Sequence, residues 1–398
     1  MNIAIICAPQ TFGCNTGMYS VDLAAWCFFR KHFPQACVRF FTLYPSPGDF
    51  GHSPFVYEGR LAFDAWEDAC DIIFYWGDFL HSWAYRQAMI KWLMQHESDL
   101  SREEAIRIIR CFLYRLHQPE NTRPRVLLYG GTVLFNRWSD YSDTDYQHDL
   151  TGLLKRASAI WMREPFSSAV VQYLTGNYQL AQGTDCALLL NQSVLAGLSD
   201  QAPVKSAEQS VRGRVGVFLG RSHIAARRVA DLLETLTMAA GLYPCWLHWG
   251  HRPFFLEREQ DLLVFFPDLP RFPPVSTPIE ALSALLTFDC IISDTYHVCV
   301  NAWNLGVPAI CLLDDVSGSL DVNDGGLATR DKRLMFYGHY NLEPFIVYAS
   351  EIQDTVTCQR KVNSLITALN DSRSLQLVLD ALRNHASACE AQLVRSIQ

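Results

Sequence analysis

One histidine occupies a position where it could transfer protons. His297 follows an apolar run at 290–292 and polar residues at 293–295, and it precedes a small-residue segment of helical spacing that ends at Gly306 and Pro308. The run predicts a strand and the segment a helix, which places the histidine at the start of the helix, beyond the carboxyl end of the strand. Ligands bind at such ends in open α/β sheets, and an imidazole there can exchange a proton near neutral pH. The alternative is a histidine that only completes a cap or a core hydrogen bond.

Other chemistry-bearing residues favour ordinary structural roles. Asp143 and Asp145 have the spacing of a carboxylate pair for a divalent ion and the phosphates of a nucleotide sugar, but a solvated turn is the favoured interpretation. His248 and His251 lack a third ligand, which favours a simple loop. The stretch Gly-Arg-Ser-His at 220–223 could approach a phosphate at the next helix start, although it is not a P-loop. We therefore predict no metal and no cofactor.

Short apolar runs alternate with helical patterns through the first half of the chain. Runs that predict buried strands stand at 1–7, 38–44, 70–77 and 125–131. The segment 101–116 has helical spacing, and its Ser101 and Glu104 form a capping-box signature. Buried strands that alternate with helices predict a parallel sheet covered on both faces.

A second β/α series follows a change of composition. Residues 193–213 are small, polar and turn-rich and are predicted to be a linker. A chain of 398 residues is also longer than one core usually supports, about 250–300 residues. We predict an N-terminal Rossmann-like lobe (1–192), the linker (193–213), a C-terminal Rossmann-like lobe (214–370) and a C-terminal helix (371–398). The predicted fold is α/β, with two Rossmann-like lobes that face each other as in GT-B enzymes and mostly parallel sheets with helices on both faces.

Composition excludes several classes of protein. Hydrophobic residues make up 49% of the chain, which is incompatible with disorder, and the net charge of −8 argues against a nucleic-acid partner. Thirteen cysteines without a CxxC pair predict buried thiols in a reducing compartment. No apolar stretch approaches the roughly 18–20 residues that span a bilayer, and no signal peptide is evident. We expect a cytoplasmic protein without a transmembrane segment, for which peripheral membrane association stays open.

The motif around the histidine resembles that of a known family. Ser-Asp-Thr-Tyr-His at 293–297, followed by the small-residue helix and Gly-Val-Pro, looks like the C-terminal signature of the polysaccharide pyruvyl transferase family, Ser-x-Arg-x-His and then Gly-x-Pro. Further stretches resemble its other motifs in the same order along residues 1 to 350, namely 12–17, 68–80, 163–167, 183–187 and 331–338. Three features depart from the pattern: Thr295 replaces the arginine, Met18 replaces an aspartate, and 314–326 is an insertion.

The resemblance implies a chemistry and a set of residues. Family members transfer the pyruvyl group of phosphoenolpyruvate onto two hydroxyls of one sugar as a cyclic ketal. The implied acceptor here is a sugar, a nucleotide sugar or a lipid-linked saccharide in polysaccharide or glycolipid biosynthesis. The resemblance assigns general acid/base catalysis to His297 and makes Arg163 the second catalytic candidate. The implied substrate-binding residues are Arg221, Lys332, Arg333, Asp185, Gly77, Asn15 and Gly17. Arg330 or Arg333 could replace the arginine that is missing at position 295.

Two other functions stay open at this point. A nucleotide-sugar-dependent GT-B glycosyltransferase, or a related sugar enzyme, also has a strand, a polar turn, a small-residue helix and Gly-x-Pro in its donor lobe. Thr295 in place of arginine favours this alternative. A catalytically silent relative that binds carbohydrate through its Trp and Tyr side chains is the third hypothesis.

Overall fold

Two parallel β-sheets, each covered by helices, form the framework of the chain. The computed structural model describes residues 1–8, 15–46, 53–77, 80–115, 124–134, 136–177, 180–190, 192–198, 213–220, 224–250, 253–315 and 331–398. Both sheets are built of consecutive strand–helix units, which agrees with the predicted α/β class.

The first sheet has seven parallel strands in the order β3-β2-β1-β4-β5-β6-β7. These strands are β1 (Asn2–Ile6), β2 (Cys37–Phe41), β3 (Tyr57–Glu58), β4 (Ile72–Trp76), β5 (Arg125–Gly131), β6 (Ala159–Met162) and β7 (Ala181–Gln182). All five residues of β4 are buried, as expected for a central strand with helices on both faces. The order reverses between β1 and β4, so the loops that follow these strands diverge and leave a crevice.

Within the described ranges, seven α-helices accompany this sheet. They are α1 (Thr16–His32), α2 (Arg60–Trp66), α3 (Trp83–His96), α4 (Arg102–Tyr114), α5 (Thr144–Arg156), α6 (Pro165–Thr175) and α7 (Gln192–Leu198). The capping box predicted at Ser101 and Glu104 is confirmed, because each side chain bonds the backbone N–H of the other residue. Asn15 caps α1 by accepting from the backbone N–H of Met18. The amide thereby fixes where α1 begins after β1.

The second sheet has five parallel strands in the order β12-β11-β10-β8-β9. They are β8 (Arg214–Phe218), β9 (Tyr243–Trp246), β10 (Cys290–Ser293), β11 (Ala309–Leu313) and β12 (Ile346–Tyr348). The helices that follow are α8 (Ala226–Ala240), α9 (Pro253–Leu263), α10 (Pro278–Leu285), α11 (Tyr296–Asn304), α12 (Lys332–His339), α13 (Thr355–Asn370) and α14 (Ser372–Ile397). Here the order reverses between β8 and β10, which makes the end of β10 part of a second crevice.

The two lobes meet through the start of α1. The Thr16 hydroxyl donates to the carbonyl oxygen of Trp249 at 2.5 Å, and Asn15 forms an antiparallel bridge with Gly250. One turn further along α1, the Ser20 hydroxyl accepts from Nδ2 of Asn301 at 3.0 Å. These contacts place the crevice of the first sheet against α11, which carries the candidate histidine.

The last helix crosses back to the first lobe. Glu390 of α14 pairs with Lys31 at 2.9 Å and with His32 at 2.7 Å, both at the end of α1. Arg125, at the start of β5, donates to the carbonyl oxygen of Ile397 at 2.8 Å. The predicted linker begins with α7, and residues 199–212 lie outside the described residues. In the part of the chain that the structure describes, no helix is both long and apolar enough for a membrane span.

Candidate functional site

His297 lies at the seam between the lobes. It is the second residue of α11, directly beyond the carboxyl end of β10, and it is 7% exposed. The side chain packs against the first turn of α1: a Cβ placed on Gly17 would stand only 2.6 Å from Cβ and 2.8 Å from Nδ1 of His297. Only glycine at position 17 lets the helix come this close to the imidazole. Asn301 holds the backbone by donating to the His297 carbonyl oxygen at 2.7 Å.

The turn before His297 is fixed by a buried carboxylate. Oδ1 of Asp294 accepts from the backbone N–H of Gly220 at 2.6 Å, which ties the end of β8 to the end of β10. It also accepts from the Thr295 hydroxyl at 3.0 Å. Thr295 stands at the N-cap position of α11 without a side-chain cap bond. The hydroxyl is oriented toward the carboxylate instead, since a buried charge gains more from a hydrogen bond than a helix end does.

Two of the predicted cations converge on the ring of Tyr296. Cζ of Arg163, which directly follows β6, lies 5.2 Å from the ring centroid. Nζ of Lys332, at the start of α12, lies 4.4 Å from the same centroid. The ring also contacts His297 and Phe336 in T-shaped geometry. A cation from each lobe therefore lies beside the residue that precedes His297.

Arg163 is oriented by two buried carboxylates. Its Nε donates to Oε2 of Glu164 at 3.0 Å, and its Nη1 lies 3.7 Å from Oδ2 of Asp185. Glu164 is held in turn, because Oε1 accepts from the Thr132 hydroxyl at 2.8 Å and from the Ser167 hydroxyl. Arg163, Glu164 and Thr132 all follow the carboxyl ends of neighbouring strands. A small polar network of the first lobe therefore holds the positive charge of Arg163 at this edge of the first sheet.

Asp185 makes two different contacts at the seam. Oδ1 accepts from the backbone N–H of Ala187 at 2.9 Å and caps a short 3₁₀ turn at Cys186–Leu189. Oδ2 faces Arg163, so the same carboxylate also orients a basic residue. Asp185 therefore links the 3₁₀ turn to the guanidinium of Arg163 at the seam.

Arg333 has a different environment from Lys332. Its guanidinium forks onto Asp331, with Nη2 at 2.6 Å from Oδ2, and its Nη1 donates to the Asp294 carbonyl oxygen at 2.7 Å. Burial lowers the pKa of Arg333, but the hydrogen bonds and charge of Asp331 outweigh burial and hold the pKa above its usual range. Arg333 therefore braces the turn that precedes His297.

The glycine and asparagine candidates line the crevice of the first sheet. Gly77 follows β4 with φ of +102°, a left-handed conformation that favours glycine, and its N–H donates to the Tyr129 carbonyl oxygen at 3.0 Å. Asn15 and Gly17 are in the start of α1, which faces α11. Arg221 and Arg330 lie outside the described residues.

Residues that were not predicted complete the seam. Tyr296 and Glu164 lie inside the motifs named above. Each is adjacent to a predicted site residue, His297 or Arg163, and nothing in the sequence marked it separately. His339, at the end of α12, places Nε2 3.3 Å from Nε2 of Gln182 in the first lobe. Burial lowers the pKa of His339, and the negative charge of Glu164 opposes that shift. The seam thus brings His297 and His339 together with Arg163, Lys332, Glu164 and Asp185.

Asp143 has a structural role at the start of a helix. Asp143 caps α5 by accepting from the N–H of Tyr146 at 3.0 Å, and it accepts from the Trp83 indole at 3.0 Å. Across the described ranges, no three His, Cys, Asp or Glu side chains stand close enough together to hold a metal. His251 falls outside those ranges.

A family model described as polysaccharide pyruvyl transferase matches residues 23–315. The chain belongs to the polysaccharide pyruvyl transferase family. The match confirms the resemblance that the sequence motifs indicated, and it contains Gly77, Arg163, Asp185 and His297. Membership in this family assigns the chain to transferases that modify polysaccharides. No curated protein matches the chain.

Solved structures establish the fold of this family member. UDP-GlcNAc 2-epimerase from Neisseria meningitidis, bound to UDP-GlcNAc, aligns with a TM-score of 0.57 at 10% identity, over 99% of this chain and 100% of that chain. A putative UDP-N-acetylglucosamine 2-epimerase from Listeria monocytogenes aligns with a TM-score of 0.55 at 9% identity, over 97% and 94%. S. aureus MnaA in complex with UDP gives 0.52 at 9% identity, over 95% and 90%. The predicted GT-B-like fold is confirmed.

The departures from the resembled motif that the sequence indicated lie at the site itself. Thr295 replaces the arginine two positions before the histidine, and its hydroxyl is engaged by Asp294. Met18, in place of the aspartate, lies in the first turn of α1 beside Gly17. Arg163 and Lys332 supply positive charge next to Tyr296 instead.

Proposed function

We propose that this transferase moves the pyruvyl group of phosphoenolpyruvate onto a sugar as a cyclic ketal, in polysaccharide or glycolipid biosynthesis. The observation that carries the proposal is the position of His297 at the switch point of the second sheet, beside a tyrosine ring approached by one cation from each lobe. Family membership supports the reaction class. The acceptor is a sugar, a nucleotide sugar or a lipid-linked saccharide.

The reaction requires one acid, one base and two anion contacts. A proton adds to the enol methylene carbon of phosphoenolpyruvate, which makes C2 electrophilic, and a sugar hydroxyl attacks C2. The bond from C2 to the phosphate oxygen then breaks, inorganic phosphate leaves, and a second hydroxyl of the same sugar closes the ketal. Of the two hydroxyl protons lost, one balances the proton added to the methylene and the other leaves with phosphate.

His297 is the residue assigned to these proton transfers. An imidazole can donate to the methylene and then accept from the attacking hydroxyl without a change of pH. Asn301 holds the backbone of His297, and Gly17 and Tyr296 pack against its ring. The imidazole is therefore already oriented before the reaction begins.

Arg163 and Lys332 are assigned to the carboxylate and the phosphate of the donor. A guanidinium can fork onto either group, and an ammonium acts on phosphate as a point charge. Glu164 and Asp185 orient Arg163 from behind. The two cations come from different lobes, so a donor between the lobes can be held by both.

The test compares binding with turnover. We expect phosphoenolpyruvate to raise the melting temperature of the wild-type protein and a sugar acceptor to trigger release of inorganic phosphate from it. His297→Ala is expected to abolish phosphate release while it keeps the melting temperature within a few degrees of wild type. Phosphoenolpyruvate should still stabilise this variant. Loss of folding in His297→Ala would assign the residue a structural role and refute its part in catalysis.

A glycosyltransferase that uses a nucleotide sugar is the second candidate, and Thr295 in place of the family arginine favours it. Stabilisation by nucleotide sugars without any by phosphoenolpyruvate, together with glycosyl transfer in a product assay, would select this function. A protein that no donor stabilises would instead fit the catalytically silent carbohydrate-binding relative.

A further inference from the structure

The ring of Tyr296 is the point at which charge from both lobes meets. It is 4% exposed and occupies the first position of α11. Lys332 comes from the same lobe, and Arg163 comes from the end of β6 in the other lobe. T-shaped contacts with Phe336 and His297 restrict the rotation of the ring.

A tyrosine ring holds cations differently from a carboxylate. The negative face of an aromatic ring attracts an ammonium or guanidinium through its quadrupole, which carries no net charge. A ring contact therefore adds attraction without adding a negative charge. Arg163 also pairs with Glu164 and Asp185 in the first lobe, whereas the ring of Tyr296 contacts Lys332 of the second lobe as well. Position 296 can thus draw the two cations toward one point.

The residue before Tyr296 supplies no positive charge of its own. Thr295 occupies the place at which the family has an arginine, and its hydroxyl donates to Asp294, so this side chain supplies no charge. Two like charges near one point repel each other, and an arrangement of this kind needs a group that attracts both. Tyr296 is the residue in contact with both cations.

We propose that Tyr296 is a positioning residue that holds Arg163 and Lys332 together as one anion pocket across the seam, in place of the arginine missing at position 295. The inference rests on the proposed function for the identity of the donor. The pocket itself would bind any small anion with a phosphate group. Inorganic phosphate is therefore a probe that does not depend on the reaction.

The experiment varies the ring and measures anion binding by calorimetry. Tyr296→Phe keeps the ring, and Tyr296→Leu removes it. We expect Tyr296→Phe to bind inorganic phosphate and phosphoenolpyruvate within about threefold of wild type. Tyr296→Leu should weaken both about tenfold, the equivalent of about 1.4 kcal/mol. Where turnover is measured, KM for phosphoenolpyruvate should rise by the same factor, and kcat should change less than KM.

Further variants separate positioning from a general loss of packing. Tyr243→Leu makes the same change at an exposed residue of β9 and should leave anion binding unchanged. Because the buried Tyr296→Leu could fail to fold, fluorinated phenylalanines at position 296 provide a series of nearly constant shape. Their binding should weaken step by step as fluorine withdraws charge from the ring. With Lys332→Met in the background, Tyr296→Leu should cost clearly less than it does alone.

The outcomes distinguish this inference from the proposed function. Wild-type affinity in Tyr296→Leu, equal losses in the Phe and Leu variants, or no effect of fluorination would each overturn it. So would a wild-type protein that binds neither anion. Phosphate binding that depends on the ring, without transfer of pyruvyl to any acceptor, would retain the positioning role and reject the proposed reaction.

Discussion

Gly17→Ala tests the closest contact between the lobes. An added Cβ would lie 2.6 Å from Cβ, 2.8 Å from Cγ and 2.8 Å from Nδ1 of His297, whereas carbon atoms in contact normally stand about 3.5–4.0 Å apart. The near part of the His297 side chain cannot rotate out of the way, so α1 and α11 must separate by about 1 Å. We expect a loss of both stability and activity.

Two opposing terms set the size of the effect on stability. Overpacking of this kind costs about 1–3 kcal/mol, and alanine in place of glycine in a helix returns at most about 1 kcal/mol. The free energy of unfolding should therefore fall by about 1–2 kcal/mol in urea denaturation. A displacement of about 1 Å in a reacting group can cost about 100-fold in rate, so acceptor-dependent phosphate release should fall by much more than the stability suggests.

Gly197→Ala is the matched control. Gly197 is also helical, in α7, but an added Cβ meets nothing within 4 Å. This variant should gain up to about 1 kcal/mol in the free energy of unfolding and keep its activity. If Gly17→Ala behaved in the same way, with higher stability and unchanged turnover, the packing of α1 against His297 would be wrong.

Two further predictions concern pH and the turn before α11. Burial lowers the pKa of His81 to about 4, below its usual 6.5, so the folded state holds this ring neutral where the unfolded state binds a proton. Stability should fall by about 2–3 kcal/mol as the pH drops from 6.5 to 4, and urea titrations should show a smaller fall in His81→Gln. Asp294→Ala leaves the N–H of Gly220 without its carboxylate and should cost about 2–3 kcal/mol, while Asp294→Asn keeps an acceptor and should cost less; equal losses in urea would contradict the role of the hydrogen bond.

The sequence was informative where local rules decide the structure. Ser101 and Glu104 satisfy each other within one turn, and alternating apolar runs require helices on both faces of each sheet. His297 could be predicted beyond the end of a strand because the polar residues before it follow a buried apolar run, and such polar residues usually form the turn after the strand. Arg163 follows its strand in the same way.

What the sequence did not reveal depends on contacts between distant segments. The role of Tyr296 arises from side chains on β6 and α12, and no spacing along the chain encodes that meeting. Thr295 stands at the N-cap position of α11, but its hydroxyl donates to the buried carboxylate of Asp294. Arg333 stays a predicted substrate-binding residue, and its sequence position did not reveal that Asp331, two residues away, holds its guanidinium. In each case a carboxylate or a ring that lies close in space determines the contacts of the side chain.

The return of α14 to the first lobe has a consequence for chimeric enzymes. The helix comes last in the chain, yet Glu390 is anchored to α1 and the Ile397 carbonyl to Arg125 of β5. A chimera joined between β7 and β8 would combine the first sheet of one protein with the α14 of another. The contacts of α14 with α1 and β5 would then be lost. An exchange of the first lobe between relatives should therefore transplant α14 together with the N-terminal segment, because the two separate pieces form one physical module.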